Sequence, residues 1–226
     1  MSSTSPRSSH FLQPLTALFV TTLIVSNIIA VKIGSFAGVF LPVAVIVFPV
    51  SYILGDIITE VYGYGAMRRV IWTGFLCNLV AVIAIWVGGI IPAAPFFEGQ
   101  SAYMQILGST PRILGASFVA YLIGAFTNAM ILSRLKVKTK GKLLWLRTIA
   151  STIVGEGLDS LIFIALAFGG IFPAADIVSL VFAQWLFKVG FEVIATPLTY
   201  AIIGGIKRRG GIDTFDHQTD FNPFRL

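Results

Sequence analysis

Cysteine and histidine are nearly missing from this chain. The one cysteine, Cys77, lies inside an apolar run, so no intrachain disulfide and no thiolate metal cluster can form. His10 and His217 have no partner at ligand spacing, which removes zinc chemistry and leaves no metal site to expect. No Gly-rich segment ends in Lys-Ser or Lys-Thr, so the chain has no cradle for nucleotide phosphates and does not burn ATP by itself. Charge is scarce as well. Asp, Glu, Lys and Arg make up 12% of the 226 residues, against about 25% in a soluble domain. That is too little to coat a water-exposed surface, so most of the surface must face lipid.

What fills the chain instead is apolar: 56% of residues are hydrophobic and the mean hydropathy is +0.89. Six runs approach the roughly 20 residues a helix needs to cross a bilayer: 11–31, 38–60, 70–91, 113–132, 148–172 and 177–206. Backbone groups find no water in hydrocarbon, so only helices or a closed barrel can span it. Barrel strands are short and alternate apolar with polar, whereas these runs are long and continuous. The expected fold is all-α, one six-helix membrane domain over 1–226. A cleaved secretory signal has an apolar stretch of about 7–15 residues and a small-residue cleavage site. The first run is longer and ends at Lys32 without such a site, so it is expected to be retained.

Lys and Arg in short loops set orientation. Thirteen of the sixteen basic residues fall at the N-terminus, in the second and fourth loops and at the C-terminus. The other side has only Lys32 and Arg112, and Lys188 lies within a span. Both termini are therefore expected in the cytoplasm. The net charge of +6 follows this membrane pattern rather than an amphipathic face for nucleic acid, and no nucleic-acid partner is expected. Loop 92–112 is rich in Pro and aromatics, as in a segment lying on headgroups or, alternatively, an outer lid over a cavity. The polar tail 210–226 is expected to be poorly ordered.

Charges near the bilayer centre are expensive and usually face a cavity. Glu156 and Asp159 are three apart on the fifth span and so share a face. They lie about 13–18 Å along the helix from Arg147, near the midplane. Gln184, Lys188 and Glu192 recur every four residues on the sixth span, a polar stripe on an otherwise apolar helix. Static pairing of Lys188 with Glu192, or with Glu156 and Asp159, is one reading. It leaves three carboxylates against one lysine, a surplus that a donor-rich solute or a proton would satisfy. Asp56 and Glu60 are four apart on the second span and are expected to pair with Arg68 and Arg69 at the surface. Asn27 and Asn128 add uncharged groups at membrane depth, either interhelical glue or site residues. Pro42, Pro49 and Pro197 interrupt helices, and Gly34 to Gly38 offers small residues for close packing.

Several of these segments resemble the queuosine precursor transporter family. They are Ser26 to Lys32, Gly55 to Gly65 followed by Arg68-Arg69, and Trp145-Leu146-Arg147. Further on come Ser151-Thr152, Gly155-Glu156 and Asp159-Ser160, then Gln184, Lys188, Glu192, Thr196 and Pro197. Glu156 stands where that family commonly has Gln. The resemblance implies a multi-pass protein of the bacterial inner membrane that imports 7-deazaguanine precursors such as 7-cyano- or 7-aminomethyl-7-deazaguanine. It also implies a fold like that of the substrate-binding subunits of energy-coupling-factor vitamin transporters. A deazaguanine offers two adjacent donors to one carboxylate and a carbonyl to Lys188, Asn27 or Gln184.

The expected substrate-binding residues are thus Asn27, Glu156, Asp159, Gln184, Lys188 and Glu192, with Asp56, Glu60 and Asn128 as gate or coupling groups. Glu156, Asp159 or Glu192 are candidates to carry a proton. The alternative in the same class is a vitamin-binding subunit served by a separate ATPase. An intramembrane enzyme using Glu156 and Asp159 as acid and base is a more distant reading, since no nucleophile constellation accompanies them. No cofactor is expected, and self-association is left open.

Overall fold

A computed structural model describes residues 6–36, 39–108 and 111–225. Seven helices run in the order α1 (Pro6–Ile29), α2 (Phe48–Tyr62), α3 (Tyr64–Ile90), α4 (Gln100–Leu107), α5 (Pro111–Lys138), α6 (Leu144–Phe168) and α7 (Ala174–Gly210). Among the described residues six segments are long and apolar enough to cross a membrane, the fourth of them containing both α4 and α5. The protein is a six-span helical membrane protein.

The second span departs from the expected 38–60. Residues Ile33–Phe36 (β1) and Val39–Pro42 (β2) pair antiparallel, which puts Gly34 in a strand rather than at a helix contact; Ala37 and Gly38 lie outside the described residues. A single 3-10 turn, Val43–Ile46, follows, and α2 begins only at Phe48 with Pro49 in its first turn. Proline lacks the N–H that an interior position needs but suits a helix start, so Pro42 and Pro49 set this boundary. Pro197 acts differently. It lies inside α7, and the helix continues through it. The ring frees the carbonyl four residues back, that of Val193, while the Thr196 hydroxyl donates to the Glu192 carbonyl, 2.8 Å away.

Buried side chains place α2 at the centre. In its apolar window 61% of residues are buried, against 11–39% in the other five spans, and its polar residues Ser51, Asp56, Thr59 and Glu60 are buried with the rest. Ile57, Ile58 and Val61 of α2 pack with Phe19, Tyr64, Met67 and Ile71 in the core. α5 and α6 approach most closely where glycines face each other's helix. A Cβ on Gly124 would stand 2.7 Å from the Asp159 Cβ, and one on Gly155 would stand 2.7 Å from the Asn128 Cβ. Small residues let membrane helices close on each other in this way, and here they fix two polar side chains at the seam.

The loop at the end of α3 folds back. Gln100 donates to the Gly89 carbonyl (3.1 Å) and the Tyr103 hydroxyl to that of Ile85 (2.8 Å). α4 buries none of its residues and Phe96 is 89% exposed.

The tail corrects the expectation of poor order. Residues 211–225 lie across the basic end of the bundle. Asp216 accepts from the Tyr64 amide (2.8 Å) and the Ser133 hydroxyl (2.6 Å). Tyr64 and Trp72 donate to the carbonyls of Phe221 and Pro223 (2.9 and 2.8 Å). Arg134 sits 4.8 Å over the Phe221 ring. Three aspartates and three phenylalanines in a polar segment are complementary to a basic face lined with aromatics, a match that composition alone does not reveal.

Candidate functional site

Thr148, Ser151, Thr152, Gly155, Glu156, Asp159 and Ser160 of α6 are all buried, so α6 turns a polar stripe inward. α7 meets it with Lys188, 5% exposed. The Lys188 ammonium lies 3.0 Å from Glu156 Oε2 and donates to Asp159 Oδ2. Phe48 and Tyr52, from the first turns of α2, each place a ring 5.3 Å from that ammonium, a cation–π arrangement that suits a desolvated charge.

Beside this triad is a cavity of about 30 Å³, lined among others by Phe19, Phe48, Tyr52, Tyr121, Asn128, Glu156 and Asp159. Such a space holds no more than a few waters. It is far smaller than the roughly 300–1,000 Å³ of ordinary ligand pockets, so the site is contracted.

The other expected site residues lie in different places. Asn27 donates to Asn78 Oδ1 of α3, 3.1 Å away, and does not line the cavity. Gln184 is half-buried within α7 and does not line the cavity. Glu192 is buried but has no ion-pair partner among the described residues, although Lys188 is only one turn away. Asp56 is fully buried and accepts a 2.6 Å hydrogen bond from Asn128 Nδ2.

Glu60 overturns the expected surface pairing with Arg68 and Arg69. Its carboxylate is fully buried, with Oε1 2.8 Å from Arg147, 2.7 Å from Lys207 and 3.6 Å from Lys136. Arg147 and Lys136 are 0% and 1% exposed, deeper than loop residues should be. Arg68 instead donates to the carbonyls of Asp220 and Asn222 in the tail. The reason is geometric: α5 and α7 are 28 and 37 residues long, about 42 and 55 Å. Their basic ends overhang α2 and close over Glu60. Asp213 joins this group through Lys136 and Lys207. Its partial burial alone would raise its pKa, but hydrogen bonds from the two lysines outweigh this and hold it below the usual carboxylate range.

Sequence reasoning missed Phe48, Tyr52, Tyr121, Asn78 and the Gly124–Gly155 seam. Only the aromatic residues at the start of α2 carry a local signal, a Phe and a Tyr one helical turn apart on either side of Pro49.

The fold and the inward-facing charges define a polytopic membrane transporter, and comparison with known proteins agrees. The family described as "Putative vitamin uptake transporter" matches residues 42–202, and the chain belongs to this family of bacterial membrane transporters, not to the enzymes. A relative from Bacillus subtilis, described as "Probable queuosine precursor transporter", is 27% identical over 177 residues, 78% of this chain and 77% of the relative. The Escherichia coli "Queuosine precursor transporter" is 24% identical over 159 residues, 69% of each chain. A Haemophilus influenzae relative, again described as a "Probable queuosine precursor transporter", is also 24% identical, over 69% of this chain and 65% of its own length. No solved structure matches.

Proposed function

We propose that this transporter carries a 7-deazaguanine precursor of queuosine into the cell, and that Glu156, Asp159 and Lys188 form its solute site. The observation that carries the reading is the triad itself: one lysine shared by two carboxylates beside an aromatic-lined cavity, at a depth where an idle charge is expensive. A deazaguanine presents a ring N–H and an exocyclic amine side by side, which one carboxylate accepts together. Its carbonyl accepts from Lys188, and Phe48 and Tyr52 supply flat walls. The relatives' names point to the same solute class. The cavity is too small for a bicyclic ring, so loading requires the Lys188 ammonium and the α2 aromatics to withdraw. Asn27, Gln184 and Glu192 are then accessory groups at most.

In the same reading the basic end faces the cytoplasm, with both termini there, and the Glu60 cluster with its tail closes that side. Reporter fusions after Arg134 and at the C-terminus should report inside, and one near Glu98 outside. The substrate test is competition. A site built for two parallel donors discriminates strongly against an analogue that leaves its acceptor bare. Analogues lacking the exocyclic amine should therefore compete at least about 10-fold less well than 7-cyano-7-deazaguanine. Equal competition would refute recognition of that edge.

A further inference from the structure

The triad engages Lys188, and that leaves two buried acids without a cation among the described residues. Asp56 on α2 is fully buried and Glu192 on α7 is 2% exposed. Among the described residues Asp56 Oδ2 and Glu192 Oε1 have no hydrogen-bond partner, and neither has Asn128 Oδ1, on the side chain that holds Asp56. The charged groups acting on Asp56 are Glu192 from α7, Glu156 from α6 and Glu60 one turn along α2, all of the same sign. Asn128 from α5 is its one donor. Three acceptors without a hydrogen-bond partner among the described residues therefore lie buried on α2, α5 and α7.

Two carboxylates this deep cannot both stay ionised without a counter-charge. Their needs differ from those of a metal site. Among the described residues no group of three or more His, Cys, Asp or Glu side chains is arranged to hold a metal ion. A proton meets the shortage at once, since it cancels one charge and turns one bare acceptor into a donor. Pro197 lies within two turns of Glu192, and the Val193 carbonyl that it frees is next to Glu192 in the chain. α7 is thus loosened where this acid is anchored.

We propose that Asp56, held to α5 by Asn128, and Glu192 form a proton-binding site that is occupied while the solute cavity is contracted. Opening the bundle to water on either side stabilises the ionised form, so the proton leaves as the site opens and returns as it closes. Movement of the carrier is thereby linked to proton uptake and release. The inference goes beyond the solute assignment and does not depend on which solute fits the cavity.

The test needs no solute. Full-length protein in liposomes is examined by infrared spectroscopy at neutral pH, where a protonated carboxyl gives a carbonyl stretch distinct from that of a carboxylate. The wild type should show this band, the double variant D56N/E192Q should lose it, and E156Q should keep it. A wild type without the band, or a double variant that retains it in full, would overturn the proposal. Loss of the wild-type band on adding sodium at constant pH would also overturn it, because the pair would then hold a metal ion. If the double variant does not fold, E192Q alone must weaken or shift the band; an unchanged band again refutes the site. A deazaguanine that fails to compete would leave all of these outcomes as they stand, so the two readings fail separately.

Discussion

Glu60 and Glu156 are both buried carboxylates in membrane-depth helices, and both touch a cation, yet their surroundings are opposites. Around Glu60 three cations from α5, α6 and α7 converge, Asp213 shares two of them, and the tail is strapped across the whole. Around Glu156 there is one lysine, shared with Asp159, next to two further acids without any cation and beside a small cavity. The first cluster has three cations for two acids and ties four helices together, although Glu60 Oε2 accepts no hydrogen bond among the described residues. The second is short of cations and has room beside it. A surplus of cations marks a brace or a closed gate, whereas shortage marks groups that wait for something to bind.

The difference is also one of repair. A carboxylate that loses its cation can take up a proton. A guanidinium cannot give one up, since arginine stays charged in proteins. Removing Glu60 therefore leaves Arg147 charged, buried and beside two lysines, whereas removing Lys188 leaves two acids that can neutralise themselves. The largest effect should accordingly come from Glu60→Gln. It should destabilise the protein by about 3–5 kcal/mol, the range for breaking a buried pair, read as a fall in melting temperature or failure to insert. A stability within about 1 kcal/mol of wild type would mean that the cluster is not a brace.

Within the under-supplied cluster the two acids should differ. Asp159 receives a hydrogen bond from Lys188 and is held at the Gly124 seam. Glu156 lies 3.0 Å from the same ammonium, and Gln in its place keeps the shape and one acceptor. Asp159→Asn should weaken solute binding by about 10–100-fold, the range for a hydrogen bond to a charged group. Glu156→Gln should cost only a few-fold, about what a neutral hydrogen bond is worth. The reverse order, measured by equilibrium binding, would move the recognition group to Glu156.

The smallest effect concerns the strap. Asp213 has its folded-state pKa depressed by the hydrogen bonds of Lys136 and Lys207. Its contribution is complete above the ordinary Asp value of about 3.9 and is lost as pH falls below it. Protease protection of residues 211–225 should thus hold at neutral pH and weaken only in strongly acidic buffer. Asp213→Asn should show the weakened state already at pH 7. Protection unaffected by either change would mean that the aromatic and backbone contacts hold the tail alone.

Much of this was legible in the sequence, and the rest was hidden for one reason. Periodicity tells which residues share a face of one helix: it put Glu156 with Asp159 and Lys188 on an inward stripe. It does not tell which helices are neighbours. Lys188 reaches across to α6 rather than along its own helix to Glu192, Asp56 finds Asn128 72 residues away, and Glu60 gathers partners from three later helices. The basic residues that set the orientation pattern, Lys136 and Arg147, read as loop charges because nothing local shows that a long helix will overhang a short one. The tail read as disordered because its partners lie about 150 residues upstream.

The comparison rests on Lys188 being a working group and Glu60 a structural one, and a single paired measurement addresses this: thermal stability and 7-cyano-7-deazaguanine binding on Lys188→Met and Glu60→Gln side by side. Lys188→Met should keep a melting temperature near wild type while binding and uptake disappear, and Glu60→Gln should melt well below both. If Lys188→Met loses as much stability as Glu60→Gln, the triad is a brace like the other cluster, and the account of the solute site is wrong.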